Sequence, residues 1–183
     1  MRAGRLRHKV QIVTLGHDLR KTCHGTIWCG ITAKDGAAPP MPAGLRTGAR
    51  VDVRARYTDR LQQGAYLLTG DRILHVTSVR DVTGKRAGLT ASCDEFVGQA
   101  ALYQSPMRGQ INCRAHLTHE APFLNDFGQI TDYRTRAEVL VLEVGRPQVD
   151  DRITIAGTTY IVTQYAGGTD DGVVRSLWLQ AME

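Results

Sequence analysis

A chain of 183 residues has room for one ordinary domain or two small ones, and 42% apolar residues with 19 glycines suit turn-rich β structure better than a helical bundle. No apolar run approaches the roughly 20 residues that cross a bilayer as a helix, and the basic start MRAGRLRHKVQIV lacks the apolar core and cleavage site of a secretory signal, so a soluble protein that stays where it is made is expected. The net charge of +5 is unevenly divided: residues 1–97 carry 16 Lys and Arg against 8 Asp and Glu, whereas residues 98–183 carry 7 against 10.

From the N-terminus, Arg2, Arg5, Arg7, His8 and Lys9 form a basic edge leading into a strand through Val10 and Ile12. TIWCGIT (26–32) follows as a second strand. The long gap AKDGAAPPMPAGLR (33–46) comes next, and a gap of that length in a small fold is a functional arm or disorder. In ARVDVRARY (49–57), Val51, Val53, Ala55 and Tyr57 fall on one face and Arg50, Asp52, Arg54 and Arg56 on the other. That period of two belongs to a half-buried strand. AYLLTGDRILHVTSV (65–79) reads as a hairpin turning at Thr69-Gly70-Asp71. A junction is expected near residues 97–108.

Beyond it, Ile111, Cys113, Ala115, Leu117 and His119 alternate with Asn112, Arg114, His116 and Thr118, again a strand. A second long gap, EAPFLNDFGQITDY (120–133), sits where the first gap lies in the earlier half. In EVLVLEV (138–144), Val139 and Val141 oppose Leu140 and Leu142, which predicts a strand covered on both faces, by its own barrel or by another subunit. VDDRITIAGTTYIVTQY (149–165) is a hairpin turning at Ala156-Gly157, and AGGTDDG (166–172) is a turn with acidic tips. No segment keeps a helical period over three turns, so helices should be short or absent.

The two halves echo each other. Ile27 and Cys29 match Ile111 and Cys113, Ala49 matches Ala137, Gly70 matches Gly157 and Leu89 matches Leu177, in constant order at separations of 84 to 88 residues. Such order argues for tandem duplication. Four or five strands in a flat sheet leave one face wet and both edges open, and closure into a small barrel removes both problems. The expected fold is therefore all-β, two tandem small β-barrels joined by a short linker, with long loops, divided as residues 1–97 and 98–183.

Candidate chemistry is sparse. Cys113-x-x-His116-x-x-His119 with Glu120 has metal-like residues, but zinc needs donors converging to about 2 Å, and on a strand His116 points away from Cys113 and His119. Cys23-His24 with Cys29 has no second Cys/His pair at a suitable spacing. The four cysteines are too few and scattered for a disulfide framework, so free thiols are expected. AGGTDDG lacks the Lys-Ser/Thr and helix of a phosphate loop, and no nucleophile elbow, zincin motif or carboxylate pair appears. The expectation is no catalytic residue, no metal and no cofactor. Arg50, Arg54 and Arg56 extend the basic edge and would bind nucleic-acid phosphate without reading sequence, while few aromatics on that face argue against a single-strand binder that stacks bases.

The opening Gly4, Leu6, Arg7 and Lys9 ahead of Val10 and Ile12, then TIWCGIT, ARVDVRARYTDRL and GDRILHVTSVRD, resembles the head-closure or head–tail adaptor proteins of long-tailed bacteriophages over about the first 95 residues. VDDRITIAGTTYIV, GGTDDG and SLWLQ with Trp178 are similar to the small head–tail joining protein of lambda-type phages, over about residues 110–181. The resemblance implies a non-enzymatic virion protein at the neck. It would form a cyclic homo-oligomer beneath the portal, retain packaged DNA and provide the tail platform. Its implied partners are a portal or adaptor ring, a tail-side connector or terminator protein, further copies of itself and packaged DNA in the lumen, with no membrane. Arg5, Arg7, Lys9, Arg50, Arg54 and Arg56, with loop 33–46, are the expected portal- or DNA-facing residues. Phe123, Leu124, Phe127, Leu140 and Leu142, with loop 120–133, are the expected subunit or tail interface. A tail terminator or adaptor ring, a small non-sequence-specific DNA-binding module and a zinc-dependent enzyme are the rival readings.

Overall fold

Alternating side chains set the architecture. In β1 (His8–Leu15), β2 (Lys21–Lys34), β3 (Arg46–Arg56), β4 (Tyr66–Thr69), β5 (Arg72–Arg80) and β6 (Gly88–Phe96), every second residue turns inward. Val10, Ile12, Cys29, Val51, Val53, Ala55, Leu67, Leu74, Val76, Ala91 and Cys93 are each at most 1% exposed. The structure, a computed structural model, describes residues 6–34, 44–125, 127–167 and 170–182. The chain divides into two units, Met1–Phe96 and Val97–Glu183.

The first unit is a closed six-strand barrel in the order β1-β2-β3-β6-β5-β4, with β4 pairing back onto β1 through Ile12 opposite Leu67. The second contains β7 (Gln99–Ser105), β8 (Gly109–Leu124), β9 (Ile130–Leu140), a single helical turn α1 (Val141–Val144), β10 (Arg152–Ile155), β11 (Thr158–Tyr165) and β12 (Val174–Ala181). Its order is β7-β8-β9-β12-β11-β10, closed by β10 on β7 through Tyr103 opposite Ile153. First to last, the two strand orders are the same.

The likeness extends to single hydrogen bonds. Val76 exchanges backbone bonds with Gly64 and Ala65 at 2.8 Å, and 86 residues later Val162 does so with Asp150 and Asp151 at 2.9 and 2.8 Å. Both strands then bulge at a threonine: Thr77 donates its hydroxyl to the Ser92 carbonyl at 2.9 Å, and Thr163 donates to that of Trp178 at 3.1 Å.

The ladders also correct the residue pairs read from sequence. The counterpart of Gly70 is Ala156, that of Cys29 is Ala115, that of Ala137 is Val53, and that of Leu177 is Ala91. Along the strands the sequence matches had slipped by two or four positions. Such a slip keeps every side chain on its own face, so alternation alone cannot detect it.

Three segments differ from expectation. The junction spans only Val97 and Gly98, because residues 99–105 of the expected linker form β7. EVLVLEV is not one strand: β9 stops at Leu140 and the chain closes a helical turn, with Gly145 N–H donating to the Val141 carbonyl at 2.8 Å. That turn explains apolar residues on both faces. Val144 joins the barrel core, while Val141 and Leu142 are 2% exposed. Glu143, the polar member, takes both the backbone N–H and the guanidinium of Arg114, at 3.0 and 3.1 Å. The third is the gap 120–133, which is largely strand, since β8 runs on to Leu124 and β9 starts at Ile130.

At one interior site the barrels diverge in a linked way. Where the first holds Ile12 and Ala65, the second holds Tyr103 and Asp151, 1% and 2% exposed. The Tyr103 hydroxyl donates to Asp151 Oδ2, which also accepts the Gln148 N–H at 2.7 Å. Burial, reinforced by the bond to Asp151, pushes the Tyr103 phenol well above its ordinary pKa, so it stays a donor at any physiological pH. A buried phenol needs such an acceptor, and Asp151 supplies it where a barrel lined by Ile needs none. Asp151→Ala is expected to destabilise by about 2–3 kcal/mol and Tyr103→Phe by about 1 kcal/mol. The double variant should lose less than their sum when urea melts are followed by circular dichroism, and strict additivity would show that the pair is not coupled.

Candidate functional surfaces

Two surfaces stand out, one on each unit. On the first barrel, Cys29 opposite Ala55 sets the register of β2 on β3, which brings Trp28 into line with Arg56 on the outer face, and on its other side Trp28 pairs with Lys9. Arg54, two residues along β3 from Arg56, adds a further cation to this face, while Arg80 lies two strands farther round the barrel, across Thr90. Trp28 is 57% exposed. Lys9, Arg54, Arg56 and Arg80 are exposed as well.

Three other arginines of this barrel have carboxylate partners: Arg72 holds Glu95 at 2.6 Å, Arg46 lies 3.9 Å from Asp94 and Arg20 lies 3.3 Å from Asp18. Lys9, Arg54, Arg56 and Arg80 make no ion pair among the described residues. A groove of about 400 Å³ opens beside Trp28 and Arg56, lined also by Ile27, Tyr57 and Thr58 among others.

Of the expected portal- or DNA-facing residues, Lys9, Arg54 and Arg56 therefore share this face. Arg50 is exposed but sits opposite Asp94. Arg7 is exposed just ahead of β1. Arg5 and residues 35–43 of loop 33–46 lie outside the described residues. The expectation of few aromatics on this face leaves room for Trp28, which stands exposed among the cations. The signal was present in TIWCGIT, because Ile27 lies half-buried toward the core and Cys29 is fully buried, while Trp28 between them turns out.

The second surface is a β ribbon. Residues 121–124 of β8 and 130–134 of β9 pair only with each other, after a bulge at which Glu120 takes a φ of 54°. Phe123 and Trp178 hold its base, with ring centroids 5.3 Å apart and edge to face, and the Arg134 guanidinium lies 3.7 Å from the centre of the Phe123 ring. Asn125 shapes the tip, its Oδ1 accepting the N–H groups of Phe127 and Gln129 at 3.0 and 2.9 Å. Cross-strand partners Pro122–Tyr133 and Leu124–Ile130 share one ribbon face. Leu124 is 52% exposed, Ile130 55% and Tyr133 57%, and Phe127 at the tip is 88% exposed.

Of the expected interface residues, Leu124 and Phe127 are thus on offer to a partner, and Phe123 is half spent on Trp178. Leu140 and Leu142 are a correction. At 0% and 2% exposure they are already covered within the single chain and present nothing to another subunit. Ile130 and Tyr133 belong to the surface but had been read as loop.

The other clusters have ordinary uses. Cys113 is buried, whereas His116 lies on the opposite face, opposite Glu138, and no group able to hold a metal occurs among the described residues. Cys29 is core, Cys23 accepts the Gln11 amide at 3.0 Å, and His24 Nε2 meets Thr14 Oγ1 at 2.7 Å. In the acidic turn, Asp171 accepts the N–H groups of Val173 and Val174 at 2.9 Å, and Asp170 holds Arg175 at 2.8 Å.

No protein-family model and no curated protein matches the chain.

The four thiols separate by burial. All are free, and burial pushes Cys29 up to about 11 and Cys93 and Cys113 up to about 12, while Cys23 is exposed. Thiolate is the reactive form. The native protein at pH 8 is expected to release one equivalent rapidly with a disulfide reagent and the remaining three only in denaturant. Cys23→Ser should abolish the fast phase.

Proposed function

We propose that the protein is a structural component of a tailed bacteriophage, a head–tail connector. Copies of the chain form a ring beneath the portal that retains packaged DNA and offers the tail its platform. The opening Gly4, Leu6, Arg7 and Lys9 motif and the late hairpins support the reading by resemblance, and the duplicated barrel agrees with it.

The observation that carries it furthest is the β8–β9 ribbon. A two-stranded ribbon is marginal in water by itself, and an apolar strip held away from the core marks a protein contact. Leu124, Phe127, Ile130 and Tyr133 form such a strip on a base clamped by Phe123 and Trp178. In a ring it reaches the neighbouring subunit or the next tier, where hydrophobic anchors supply most of the affinity. Catalysis has no part in this role.

The test is a nonsense codon at Gln11 in the phage genome, with negative-stain imaging of the lysate. Filled or leaking heads beside finished, unattached tails are expected. Full heads with overlong tails would move the protein to the tail terminus, and ordinary infectious particles would remove it from the virion. Complementation with Phe127→Ser is expected to give protein with unchanged melting temperature, because the side chain is 88% exposed, yet at least tenfold fewer infectious particles.

A further inference from the structure

We propose that the outer face of the first barrel around Trp28 binds single-stranded nucleic acid, with the indole stacking on a base and Lys9, Arg54 and Arg56 holding the flanking phosphates. This site stands independently of the connector reading and is tested on the purified protein.

A single exposed tryptophan is ordinary on a protein surface. Three features together set this one apart. Trp28 pairs with Lys9 on one neighbouring strand and lines a groove together with Arg56 of the other, so positive charge lies to either side of it. Neighbouring strands are spaced about 4.8 Å apart and alternate residues along a strand about 7 Å, which puts Arg54 within reach of the same bound chain. Lys9, Arg54 and Arg56 make no ion pair among the described residues, whereas Arg72, Arg46 and Arg20 of the same barrel have carboxylates. Finally, the groove of about 400 Å³ at the edge of the indole has Tyr57 and Ile27 in its wall, room for a flat ring beside Trp28.

Aromatic rings stack with any base, and cations track the backbone without reading sequence, which together make a sequence-tolerant single-strand site. A duplex keeps its bases stacked on each other and offers Trp28 nothing, so it would engage only the cations. An acidic peptide would likewise use the charges and leave the indole idle. Single-strand preference that depends on Trp28 is therefore the signature.

The probe is a 15-residue oligothymidylate, titrated into the full-length protein at several salt concentrations and compared with a DNA duplex of the same length. Trp28 is exposed and Trp178 is 7% exposed, so quenching of the emission on binding reports Trp28. Three phosphate contacts predict a slope of log K on log salt of about −2 for the single strand. Trp28→Ala is expected to weaken single-strand binding about tenfold with little change in slope, and Trp28→Phe to restore part of it. Arg54→Gln with Arg56→Gln should reduce the slope by about 1.4. All these side chains face solvent, and unchanged melting temperatures would confirm that the variants fold. Equal affinity for duplex and single strand, or single-strand binding indifferent to Trp28→Ala, would overturn the proposal, as would no binding at 50 mM salt.

Discussion

Barrel closure is the constraint on which the rest of this structure depends. Each unit has only six strands, and a sheet of that size left open would expose two edges of unpaired backbone and one face of its apolar side chains. The seams that prevent this are short: three residue pairs join β1 to β4, and four join β7 to β10. At each seam a large side chain meets an aliphatic one, Ile12 with Leu67 and Tyr103 with Ile153, all at most 1% exposed. Closure thus gives every strand two neighbours and one dry face, and the outer face is released for other uses.

Duplication of such a unit leaves the copies free to diverge wherever closure is not at risk, and obliges paired change where it is. Replacement of Ile12 by a tyrosine counterpart brings a hydroxyl into the interior, and the acid in place of Ala65 receives it. The Thr77 and Thr163 bulges have been kept, since each threonine satisfies a carbonyl that the kinked ladder cannot reach. Outside the barrel walls the copies differ without restraint. Among the described residues the second unit has α1 and a paired ribbon that the first does not show, and residues 98–183 carry 7 basic against 10 acidic residues, while residues 1–97 hold an excess of cations.

The outer surfaces show how little a small barrel needs in order to present chemistry. A strand directs alternate residues outward whatever fills the core, so Lys9, Trp28, Arg54 and Arg56 come to one face through the registers that bury Val10, Cys29, Val53 and Ala55. The ribbon relies on a different device. Its base is fixed by aromatic packing and its tip by the Asn125 side chain, which lets exposed apolar residues be held in a defined shape.

Much of this was legible in the residues. The alternation in ARVDVRARY, the glycine-marked hairpins and the ordered echoes predicted two closed β units, because strand period and turn chemistry are local properties that survive without knowledge of neighbours. The outward turn of Trp28 was equally local. What the sequence could not decide was register and reach. A shift of two residues preserves the inward face, so only the hydrogen-bonded ladders made Ala115 rather than Cys113 the counterpart of Cys29. The same holds for EVLVLEV and for residues 120–133. Two-sided apolarity is shared by a buried strand and a buried helical turn, and polar, glycine-bearing sequence is shared by a loop and a ribbon. Backbone pairing across distant parts of the chain chose between them.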